Sequence, residues 1–209
     1  MIDLYLTKGM HLVVDWYLLL TPLLGLGVLA LARFVGCDVL FGVDKLPPAP
    51  VGRAFVESYA LGTPRTNFTG WAGMTILVGA KPLTVTQLGR IMLTASTASH
   101  EVKLVRPAGD GGVDLGAVTI PISAAAQRFA YATLEPAVVL DPNTEYYVVS
   151  HEAAGGDVFH EVLDTSVTTT DVARVTSGVY NDDADPRYRR FGAPGNTYGP
   201  VDFIYEEAA

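Results

Sequence analysis

The chain has 209 residues and a net charge of −8, with 14 Lys and Arg against 22 Asp and Glu. So acidic a chain lacks the clustered cations that a phosphate backbone requires, which argues against nucleic acid as a partner. Its one cysteine, Cys37, excludes an internal disulfide framework and a Cys-based zinc site.

Residues 1–15 alternate briefly at Ile2, Leu4 and Leu6 before Lys8-Gly9. They are too short for a domain and are expected to lie along a membrane surface or against a partner. From Trp16 to Val35 the chain is almost uninterruptedly apolar over 20 residues. As a helix rising ~1.5 Å per residue it spans ~30 Å, the depth of the hydrocarbon layer. A single transmembrane α-helix is therefore predicted over residues 16–36. Trp16, Tyr17 and Phe34 suit the headgroup level, and Arg33 can extend its guanidinium to the interface. Thr21, Gly25, Ala32 and Gly36 put small side chains on roughly one face, where another helix can approach. Phe34-Val35-Gly36-Cys37 resembles a lipobox, which makes Cys37 a lipidation candidate, although Asp15 and Arg33 stand where that signal does not place charges. Residues 37–53 read as a linker, stiffened by Leu46-Pro47-Pro48-Ala49-Pro50.

Residues 54–209 form the predicted globular domain. Strand-like runs are expected at 53–61, 71–78, 83–93, 101–105, 113–122, 127–134, 146–151, 157–162, 173–180 and 201–205. Met74, Ile76 and Val78, then Val102 and Leu104, then Phe129, Tyr131 and Thr133 show the period of two that marks a strand with one buried face. Turn signals separate the runs, among them Ala108-Gly109-Asp110-Gly111-Gly112, Asp141-Pro142-Asn143-Thr144 and Ala154-Gly155-Gly156-Asp157. Many short strands without crossover helices predict an all-β, antiparallel β-sandwich, jelly-roll or immunoglobulin-like, behind the single helix.

Leu140, Pro142, Thr144 and Tyr146 alternate in a way that resembles the corner before a late strand of fibronectin type III domains. A longer resemblance runs through LGTPRTNFTGWAGMTILVGAKPLTVTQLGR, HEVKLV, YATLEPAVVLDPNTEYYVVSHEAAGGD and YGPVDFIY. These segments resemble uncharacterised bacterial β-sandwich domains of envelope and extracellular proteins. That resemblance implies a bacterial source and a β-domain on the periplasmic or extracytoplasmic side of the inner membrane, and it implies no catalytic residues. The positive-inside count points the other way, with Lys8 before the span and Arg33, Lys45 and Arg53 after it.

Several constellations carry potential chemistry. His151 and His160 flank Gly155-Gly156, and two imidazoles meeting across a hairpin there would offer a zinc site; exposed polar strand residues are the alternative. Asn181, Asp183 and Asp185 alternate as hard oxygen donors suited to calcium, although the Gly and Glu of an EF-hand loop are missing; ion pairs with Arg187, Arg189 and Arg190 are the alternative. Arg187-Tyr188-Arg189-Arg190-Phe191 mixes cations and rings and would suit anionic headgroups or a partner protein. Trp71, Tyr146, Tyr147, Tyr180 and Tyr198 would form a glycan platform if exposed, and core if not.

The expectation is a non-enzymatic, single-span membrane protein: an accessory or structural subunit that docks onto other subunits of a larger bacterial membrane complex, with no cofactor unless calcium. The second reading is a membrane-anchored surface module for glycan or protein ligands.

Overall fold

The computed structural model describes residues 52–93, 99–121, 127–156 and 158–207. The chain divides at Ala49/Pro50 into two units, and every described residue belongs to the second. The predicted helix with Trp16, Tyr17, Thr21, Gly25, Arg33 and Phe34, and the lipidation candidate Cys37, lie outside the described residues. Among the described residues no helix is long and apolar enough to cross a membrane.

The described fold is all-β, and every strand pair is antiparallel. With strands numbered in chain order, one sheet runs β1 (Arg53–Ala54), β14 (Val201–Glu207), β5 (Leu83–Met92), β8 (Arg128–Leu140). The other runs β13 (Asp185–Phe191), β12 (Ala173–Asp182), β4 (Gly70–Val78), β9 (Glu145–Glu152), β6 (His100–Ala108), β7 (Gly111–Ile120). Two short ribbons flank them: β2 (Val56–Ala60) with β11 (Ser166–Thr169), and β3 (Pro64–Arg65) with β10 (Phe159–His160).

The alternation read from the sequence sets the inner faces of β4 and β6, whereas on β8 the other parity, Ala130, Ala132 and Leu134, packs inward and Thr133 is exposed. Met74, Ile76 and Val78 of β4, Val102 and Leu104 of β6, and Tyr146 and Val148 of β9 meet Leu83, Val85, Leu88 and Met92 of β5 and Phe203 of β14 in one buried core. A bulge between Val85 and Gln87 shifts the phase of β5, so odd-numbered residues before it and even-numbered residues after it face the same way. Phe55 stacks on Phe203 with centroids 4.6 Å apart, carrying the core across to the entering chain.

Three features depart from the predicted runs. The sixth run, expected to end at Leu134, continues as β8 to Leu140 through Pro136. On β8, an edge strand, a missing N–H costs no ladder bond, and residues 134–137 bulge opposite Thr86. The arginine-rich stretch, which falls outside the predicted runs, lies in the edge strand β13. The run 157–162 shrinks to Phe159–His160, because β10 pairs only with the two-residue β3.

Candidate functional site

The six-stranded sheet curls until its two edges touch: Tyr188 N on β13 donates to Asp110 O, in the β6–β7 turn, at 2.8 Å. The curl encloses a second core on the face turned away from the main one. Val105, Tyr147, Val149 and Val179 are buried there, with Trp71 and Tyr188 packed against them. Gly73, whose place on β4 lies between Val149 and Val179, leaves no room for a side chain, since a Cβ would come within 2.1 Å of Val148 O.

The Trp71 end of the curled face, termed its mouth, is the candidate site. Trp71 and its cross-strand partners Asn181 and His151 form one row across β4, β12 and β9. Lys103 Nζ lies 3.9 Å from the Trp71 ring centroid and 3.2 Å from Asp114 Oδ2. His151 meets the Trp71 ring edge-on at 5.1 Å between centroids, and its Nε2 lies 3.0 Å from Asp183 Oδ2. The mouth is thus a half-exposed indole between an ammonium and an imidazole, each paired to a carboxylate on the rim. Further along, Arg190 forks onto Glu145 at 2.8 and 2.9 Å, with Tyr147 OH at 3.3 Å, and holds β13 over the second core.

The sequence candidates separate and regroup here. His151 and His160 are not strand neighbours: His151 is opposite Trp71 in the large sheet, and His160 is opposite Pro64 in a ribbon. The expected hairpin across Gly155-Gly156 does not form because Gly155 N turns away to Thr66 O. His160 is buried, with Nδ1 lacking a hydrogen-bond partner. Burial, and then the nearby Arg90 guanidinium, hold its imidazole below the ordinary histidine value.

The three oxygens considered for calcium also part. Asn181 is buried and donates to Pro186 O; Asp183 goes to His151; Asp185 takes Arg187 and Arg189. The Arg187 hydrogen bonds hold the Asp185 carboxyl well below the usual carboxylate range. Among the described residues no group of three or more His, Cys, Asp or Glu side chains is placed to hold a metal ion. Of the aromatic residues weighed as a glycan platform, Tyr146, Tyr147 and Tyr198 are buried, and Trp71 and Tyr180 are half-buried.

Tyr146 anchors the corner before β9. Its hydroxyl accepts from Asp141 N at 2.9 Å and from Arg106 Nη2 at 3.1 Å, while Leu140 is fully buried beneath it. That return to a backbone group a few residues upstream is the device of a tyrosine corner.

Sequence reasoning missed the buried charges. Arg90 and Glu152 form an ion pair inside the sandwich, and Asp202 is buried on β14. A signal existed for Arg90, which sits between Leu88 and Met92 on a core-facing parity. At the opposite end of β4, two adjoining clefts of about 470 and 230 Å³ share Gly79 and Asp171, with walls of backbone, aliphatic and charged groups.

A comparison with protein-family models finds no match, and a comparison with curated proteins finds none.

Proposed function

We propose that this chain is a non-enzymatic accessory subunit, held at a bacterial inner membrane by residues 16–36, whose extracytoplasmic β-domain docks onto other subunits of a membrane complex. In this reading the domain is a jelly-roll or immunoglobulin-like sandwich used as a scaffold. One observation carries it: the acids and bases around the curled face are engaged with one another. Lys103 holds Asp114, His151 holds Asp183, Arg190 holds Glu145, and Arg187 and Arg189 hold Asp185. Groups held in place by such pairs form a preset polar rim of the kind that surrounds a protein–protein contact.

A second reading, a surface module for glycan or protein ligands, draws on the half-exposed Trp71 at the mouth. Lys103 already covers one approach to that ring, which favours a protein partner over a stacked sugar.

The test is gentle detergent extraction from native membranes, size separation and mass spectrometry of the co-migrating proteins. Stoichiometric companions support the subunit reading. A lone monomer that retains a glycan in array binding supports the second.

A further inference from the structure

Asp202 is a carboxylate with no exposed surface, set where β14 meets the entering chain. Its Oδ1 accepts from Val56 N at 2.9 Å and from Phe203 N at 2.8 Å. Its Oδ2 accepts from the Tyr131 hydroxyl at 2.6 Å. Tyr131 reaches it from β8 across β5, and the position crossed is Gly89, the strand partner of both residues. A Cβ on Gly89 would lie 2.5 Å from the Tyr131 ring, so the glycine is what lets the ring lie across the sheet.

Buried carboxylates are usually matched by a cation or by many donors. Here the elements packed around the group supply the backbone amides of Phe55, Val56 and Phe203, one phenol from β8 and no side chain from β5. Tyr131 is the one titratable group that bears on it, and among the described residues no cation is paired with it. Desolvation therefore outweighs the hydrogen bonds and pushes the Asp202 carboxyl up to about 6.

We infer that Asp202 is a proton-controlled clasp that seats strand β2 more tightly as the surroundings turn mildly acidic. Val56 N is the first amide of β2, and Phe55, just before it, supplies the ring stacked on Phe203. The clasp thus acts where the chain from residues 1–51 enters the domain. The protonated acid keeps Oδ1 for both amides and donates its own proton to the Tyr131 oxygen, so the contacts persist while the buried charge is removed. When β2 lifts, the carboxyl regains water and its ordinary acidity. The seated form is thus favoured most below pH 4 and loses that advantage as pH rises through 6.

Amide exchange on the full chain, followed as the protection factor of Val56 N–H, tests this. Between pH 4 and pH 7 the protection is expected to fall roughly 50-fold. Asp202→Asn keeps an acceptor for both amides and is expected to remove the slope. A flat wild-type profile, or the same slope in the Asn variant, overturns the inference. If the variant does not fold, carboxyl carbon shifts of the wild type decide: a midpoint near 6 supports the clasp, and one near 4 overturns it.

Discussion

Arg90 and Glu152 face each other across the sandwich, with Nε and Nη2 of the guanidinium 3.2 and 2.6 Å from the two carboxylate oxygens. Arg90 comes from β5 and Glu152 from β9, so the pair ties the two sheets together inside the fold, with both side chains almost fully buried. Two of the remaining guanidinium protons go to Ile91 O and Val158 O at 3.0 and 3.1 Å. The arginine thereby also pins the segment that follows β9.

Removing either partner leaves the other as an unmatched buried charge. Glu152→Gln or Arg90→Met is expected to cost about 3–5 kcal/mol by urea unfolding. The double variant with apolar replacements is expected to cost less than either single one, because no charge is then stranded. Additive losses would show that the pair is not coupled as the geometry indicates.

Gly89→Ala puts a methyl group into the Tyr131 ring, with Ala130 O next at 3.3 Å, and so attacks the Asp202 clasp without altering the groups that hydrogen-bond in it. A loss of about 1–3 kcal/mol is expected, in the range for overpacking. Combined with Tyr131→Ala, the glycine substitution should cost much less, since the ring it collides with is gone. A double-mutant cycle measures that coupling.

His160 carries a sign opposite to that of Asp202. Its imidazole sits below the ordinary value because burial and Arg90 disfavour the cation, while Asp164 opposes weakly. A depressed histidine contributes stability that is full above the ordinary range, about 6.5, and is lost as pH falls below it. His160→Gln should therefore flatten part of the loss between pH 7.5 and pH 5 in urea midpoints. An unchanged acid limb would place the titrating group elsewhere.

The pairs at the mouth are solvent-exposed on at least one side, with Asp114 57% and Asp183 47% exposed. Exposed pairs are worth little, so Asp183→Asn and Asp114→Asn should each shift stability by less than about 1 kcal/mol. Melting curves check this, and near-native values make both variants sound probes of docking.

Much of the main core was legible in the alternation at Met74, Ile76, Val78, Val102 and Leu104, because a half-buried strand writes its inner face every second residue. The corner at Leu140 and Tyr146 was legible because turn residues and a following tyrosine sit at fixed spacing. The curl of the large sheet was not, since it depends on Tyr188 meeting Asp110 across the whole width of the sheet. For the same reason His151 and Asp183 each belonged to a different candidate site until the fold placed them 3.0 Å apart. The bulge at Thr86 also hid the inward parity of Arg90, because a phase shift breaks the simple pattern.

The docking role of the curled face is tested most directly by photo-crosslinking in native membranes from position 71 at the mouth, with position 135 on β8 as control. The account predicts one defined protein adduct from position 71, weakened by Asp183→Asn, and none from position 135. No adduct from position 71, or equal adducts from both positions, would contradict it.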